Sequence, residues 1–161
     1  SSGEVAMALQ GRAGLATAVL PVDHHAAAEA IAALVAQHRP RAILTTGLSP
    51  RPVPRLELRA RRPEAFDQGT AELWGVWPWA ASLAAIRTTG APVTLSTNAG
   101  RYVCETVYWA ALERRRAMVE PTPVAFLHMP PLGEAWGVER LGAVVEAALS
   151  VFRRQGAVQS V

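Results

Sequence analysis

A chain of 161 residues, half of them apolar, can bury a sizeable core, and no apolar run reaches the roughly 18 residues that a membrane span needs. All 16 basic residues are arginine and the formal net charge is +3; no aromatic interleaving or nucleic-acid motif accompanies them, so neither nucleic acid nor membrane is an expected partner. One cysteine rules out an internal disulfide and fits a cytoplasmic location.

The start, "SSGEVAMALQ", lacks the basic and continuous apolar segments of a signal peptide. "GLATAVLPV" (14–22) reads as a short strand closed by proline. "HHAAAEAIAALVAQH" (24–38) is rich in helix formers and ends before Arg39-Pro40, so it predicts a helix. "RAILTTG" (41–47) reads as a second strand stopped by glycine. An irregular Pro- and Arg-rich stretch follows to about residue 76, with at most a short strand near "PRLELRA".

Pro78 is suited to open a helix through "WAASLAAIRTTG". "APVTLS" (91–96) predicts a strand, "CETVYWAALERRRAM" (104–118) a helix, "TPVAFLHMP" (122–130) a strand, and "GVERLGAVVEAALSVFRRQ" (137–155) a closing helix. Strand and helix alternate at βαβ spacing. The expected fold is therefore α/β, a mostly parallel sheet with helices on both faces, in one domain over 1–161.

Ligands in such sheets sit beyond the strands' carboxyl ends. Cys104 follows one strand and His128 ends another, so both fall on that edge, and Glu57 joins them if the irregular stretch folds back. A helix start favours a thiolate, an imidazole can take its proton, and a carboxylate can fix the imidazole's tautomer. The competing readings are a buried apolar thiol, a strand-capping histidine and a surface ion pair. His24, His25 and His38 are expected towards the opposite edge, and their spacing suits no metal site.

At these positions the chain resembles the pyroglutamyl peptidases (pyrrolidone-carboxylate peptidases). Their cysteine motif, Ser-x-x-Ala-Gly-x-Tyr/Phe-x-Cys-Asn, is similar to "STNAGRYVCE" at Ser96, Ala99, Gly100, Tyr102 and Cys104. Their Phe-Ile-His-x-Pro is similar to "FLHMP" at Phe126, His128 and Pro130. Their Gly-Leu-Ala-x-Gly-Arg loop resembles "GLSPR", one residue shorter, which puts Arg51 and Glu57 on the matching positions. "SSGEVAMAL" looks like the family's first helix.

The resemblance implies a three-layer α/β/α sandwich and a cysteine exopeptidase that removes an N-terminal pyroglutamyl residue. Cys104 is then the nucleophile, His128 the general base and acid, and Glu57 the group that orients His128. Leu48, Arg51 and Tyr102 are the implied substrate-binding residues, with the rest of the arginine cluster as surface or subunit contacts. No metal or organic cofactor is implied, and a homotetramer is. The alternative is a weak or inactive member that binds pyroglutamyl peptides.

Four departures stand out. The sequence begins after the point where the family has its first strand and a Phe-bearing loop that flanks the ring. The loop after Glu57 is short. Glu105 replaces the usual Asn after the cysteine and is expected to face solvent, while Arg62 replaces an Asn five residues beyond Glu57.

Overall fold

The computed structural model describes residues 1–153. Ser1 opens α1 (Ser2–Ala8) with a capping box: its side chain accepts from the Glu4 N–H, and the Glu4 side chain reaches back to the Ser1 backbone. α2 (His24–His38) starts where expected because Asp23 Oδ1 accepts the Ala26 N–H at 2.8 Å. It ends at Arg39, which turns left-handed (φ 44°) ahead of Pro40. The remaining elements are β1 (Ile43–Leu48), β2 (Arg55–Glu57), β3 (Arg59–Arg61), β4 (Glu72–Trp74), α3 (Trp79–Thr88), β5 (Thr94–Ser96), α4 (Val103–Arg116), β6 (Val124–Met129) and α5 (Val138–Ser150).

Two expectations need correction. Residues 14–22 form no strand; they run as irregular backbone between α1 and α2. Their alternation is of small side chains, Val19 and Val22 stand exposed, and no sheet partner among the described residues supplies the ladder a strand requires. The irregular stretch also holds more structure than expected, since β3 and β4 pair antiparallel, Arg59 with Trp74 and Arg61 with Glu72. Arg62 closes the loop between them, its backbone N–H on Ala71 O and its guanidinium on Gly69 O. The closing helix stops at Ser150, and the expected residues 154 and 155 lie outside the described part.

The main sheet has the order β1-β6-β2-β5. β1 runs parallel to β6, and β2 parallel to β5, while β2 meets β6 antiparallel. The sheet is thus parallel in two of its three ladders. β6 is buried along its whole length, as a central strand covered on both faces must be.

Alternation along β6 separates two cores. Leu127 and Met129, with Leu56, pack under α1, α3 and α5 through Val5, Leu9, Ile86, Leu141 and Val144. Val124 and Phe126 pack under α2 and α4 through Ile31, Val35, Tyr108 and Leu112. The result is the expected α/β/α sandwich, with the small β3–β4 sheet set against α4 through Ala60.

Candidate active site

Register decides which side chains share a face. Gly47 lies opposite His128 across the parallel ladder. Arg55 lies opposite His128, and Glu57 opposite Phe126, across the antiparallel one. All five therefore point to the α4 side of the sheet. β2 is short, but its antiparallel pairing is what carries Glu57 beside a histidine 71 positions away in the chain.

His128 Nδ1 is 2.8 Å from Glu57 Oε1, with the histidine 5 % exposed and the glutamate fully buried. A carboxylate accepts only, so Nδ1 carries the proton and Nε2 is left as the basic nitrogen. Phe126 stands edge-on to the imidazole at 4.7 Å between ring centroids. Arg55 Nη2 lies 3.5 Å from Glu57 Oε1 and donates to Ser49 Oγ at 3.2 Å. Arg55 is thus part of this buried layer rather than a surface contact.

Cys104 enters from the helix side. β5 runs opposite to β6, so the cysteine segment does not leave the sheet at the edge where His128 lies. Instead residues 97–102 lead from β5 to α4, braced by arginines of β3. Arg59 Nε donates to Thr97 O at 2.9 Å, and Arg61 Nη2 donates to Asn98 Oδ1 at 3.0 Å and Gly100 O at 3.2 Å. The sulfur then comes to rest over Gly47. A Cβ on that glycine would stand 2.5 Å from Cys104 Sγ and 2.8 Å from Phe126 Cζ. Glycine here is a matter of space: it lets the thiol lie against the strand residue whose register partner is His128.

Burial pushes the Cys104 thiol up from its ordinary value; a backbone hydrogen bond at Cys104 opposes this, and the Glu57 charge adds to the rise. The helix start therefore does not by itself make the thiol anionic. The arrangement suits a thiol that gives up its proton to a neighbouring base as it reacts.

The structure corrects the reading of Glu105. It is 5 % exposed, and its Oε1 accepts from both the backbone N–H and Nε of Arg61, each at 3.1 Å. His24 is also misplaced by the sequence reading. It sits at the start of α2, with Nδ1 2.6 Å from Thr106 Oγ1 in the first turn of α4, not on the opposite edge. Leu48, half-exposed, ends β1, and Tyr102 is 81 % exposed at the N-cap of α4. Arg51 is exposed, its backbone N–H on Ser49 Oγ. Trp77 is buried, whereas Trp74 is exposed. Among the described residues no group of three His, Cys, Asp or Glu side chains is placed to hold a metal ion, and no helix is long and apolar enough to cross a membrane.

An apolar groove of about 510 Å³ runs beside β1, lined in part by Leu15, Leu20, Ile31 and Leu44, and it reaches Gly47, Leu48 and Cys104.

Comparison with known proteins gives the arrangement a family. A family model described as pyroglutamyl peptidase matches residues 59–148, a span that holds Cys104 and His128 and begins two residues after Glu57. The chain is 34 % identical over 143 residues to the pyrrolidone-carboxylate peptidase of Deinococcus radiodurans, covering 76 % of this chain and 64 % of that one. It is 38 % identical over 66 residues to rat pyroglutamyl-peptidase 1, 38 % of this chain and 29 % of the other. It therefore spans less than two thirds of the length of either relative. Among solved structures, the pyrrolidone carboxyl peptidase of Thermus thermophilus superposes with a TM-score of 0.69 at 31 % identity, covering 81 % of this chain and 79 % of that one. A Pyrococcus furiosus pyrrolidone carboxyl peptidase shares the fold with a TM-score of 0.80 at 19 % identity, over 91 % and 87 % of the two chains. The family model covers more than half of the sequence, and the motifs around Cys104 and His128 lie inside it: this chain belongs to the pyroglutamyl peptidase family.

Proposed function

We propose that this chain is a cysteine exopeptidase that removes an N-terminal pyroglutamyl residue from peptides. The observation that carries the proposal is the buried Glu57–His128 hydrogen bond on the sheet face where Cys104 Sγ lies over Gly47. In this reading Nε2 of His128 takes the thiol proton as sulfur attacks the pyroglutamyl carbonyl carbon. Glu57 fixes the tautomer and balances the imidazolium that forms. The same imidazolium returns the proton to the departing amine, leaving a thioacyl-enzyme. Water, deprotonated by His128, then attacks the thioester and releases free pyroglutamate and the thiol.

The substrate's chemistry fits the surroundings. A pyroglutamyl N-terminus is an uncharged lactam, and the two buried carboxylates near the thiol are already engaged, Glu57 with His128 and Glu105 with Arg61. A neutral ring requires no charged partner there. Leu48, Arg51 and Tyr102 border the approach as substrate contacts in this reading. Assembly into homo-oligomers belongs to the same reading, and sedimentation equilibrium measures it.

The test is hydrolysis of a pyroglutamyl chromogenic amide. Wild type is expected to release the amine, and Cys104→Ala and His128→Ala to lose activity by about 10³-fold or more. Glu57→Gln is expected to lose about 10²-fold or more, since the imidazole keeps a partner but loses the carboxylate's charge. Equal rates for wild type and Cys104→Ala would rule the peptidase reading out.

A further inference from the structure

Glu105 is the least expected residue of the site: a carboxylate directly after the cysteine, buried in the first turn of α4. An unpaired negative charge there would oppose a thiolate on its neighbour. The structure supplies the partner from β3. Arg61 gives Glu105 Oε1 both its backbone N–H and its Nε, and uses Nη2 on Asn98 Oδ1 and Gly100 O in the segment that delivers Cys104. One guanidinium thus joins the carboxylate beside the thiol to the loop that positions the thiol.

We propose that Arg61 and Glu105 are a positioning pair, whose mutual neutralisation leaves the start of α4 permissive for a Cys104 thiolate. This rests on Cys104 being the nucleophile. The other charged and titratable groups around that helix start are His128 on β6, Glu57 and Arg55 on β2, Arg59 on β3, bonded to Thr97 O, His24 on α2, bonded to Thr106, and the exposed Arg101 just before the helix. β1 presents Gly47 there. Glu57 is the carboxylate whose charge raises the thiol.

A merely structural pair and an electrostatic one differ in sign. If the pair only braces the loop, removing either partner loosens the site and slows Cys104. If it sets the field, Glu105→Asn leaves Arg61 as an unneutralised cation at the start of the helix that carries Cys104 and speeds the thiol's reactions, while Arg61→Met leaves an unneutralised carboxylate there and slows them. Replacing both restores neutrality and leaves no buried charge unpaired, so the double variant also serves where Arg61→Met alone fails to fold.

The readout is the rate of iodoacetamide alkylation against pH on the full chain, unambiguous because Cys104 is the only cysteine. Relative to wild type at neutral pH, Glu105→Asn is expected to react roughly three- to tenfold faster, with its pH profile displaced to lower pH. Arg61→Met is expected to react slower by a similar factor, and the double variant to fall within about twofold of wild type. A Glu105→Asn variant no faster than wild type overturns the proposal, as does a folded Arg61→Met that is no slower. Alkylation needs no peptide, so a protein that shows this order but hydrolyses no pyroglutamyl amide refutes the peptidase reading and leaves the pair's role standing.

Discussion

Gly47 shows how one missing side chain can carry a site. It is opposite His128 in the ladder, and Cys104 Sγ fills the space where its Cβ would be. Gly47→Ala would force the sulfur or the Phe126 ring to move, and Phe126 is fully buried, so the sulfur yields. In the proposed reaction a displacement near 1 Å between nucleophile and base costs about 10²-fold in rate. Gly47→Ala is therefore expected to lower kcat/KM by about that factor with only a modest change in melting temperature, and an unchanged kcat/KM would show that the thiol does not depend on this seat. The thiol, imidazole and carboxylate themselves were legible in the sequence, because each sits in a short local motif. Gly47, Arg55 and Arg61 were not. Their roles follow from strand register and from which helix covers which face, and no spacing along the chain encodes either.

At the scale of elements, α4 is the part on which the site hangs. Residues 105–112 are all buried, so the helix has no free face around its first two turns. Its Tyr108 hydroxyl donates to the backbone carbonyl of Glu57 at 2.8 Å, fixing the helix to the strand that carries the carboxylate. Burial, with Glu57's charge beside it, pushes the Tyr108 phenol well above its ordinary range. The sign follows: above about pH 10 the unfolded chain releases this proton while the folded protein keeps it, so stability falls as pH rises beyond the ordinary phenol value. Tyr108→Phe is expected to cost about 1 kcal/mol at neutral pH through the lost hydrogen bond, and its denaturation midpoint to converge with that of wild type in alkali. Urea unfolding at neutral and alkaline pH measures both; a gap that stays constant with pH would mean the phenol's proton is not what the fold retains. Helices α2 and α4 fell close to their expected bounds because caps and apolar periodicity are local. β4 was missed, and 14–22 was over-read, because a three-residue strand and an unpaired extended run look alike until a partner is found.

Across the whole molecule the sheet separates two cores of different duty. The α2–α4 side holds Cys104, His128 and Glu57, while the α1–α3–α5 side is almost wholly apolar. The layered α/β/α plan was readable from the alternation of elements, but not the antiparallel turn of β2 against β6, since no crossover length distinguishes it from a parallel return. On the far side a buried polar chain crosses the layer. Trp77 Nε1 donates to Ser82 Oγ at 2.7 Å, and Ser82 Oγ donates to Ala148 O at 3.0 Å, joining the segment before α3 to α5. Ser82 is fully buried, so Ser82→Ala leaves both an indole N–H and a carbonyl without a partner and no route to water. The expected cost is about 1–3 kcal/mol of stability, read as a lower urea midpoint with an unchanged slope. Because the intact sheet stands between this chain and the thiol, kcat/KM at 25 °C should stay within about twofold of wild type. A loss of activity larger than that, at a temperature where the variant is fully folded, would show that the far layer sets the geometry of the near one.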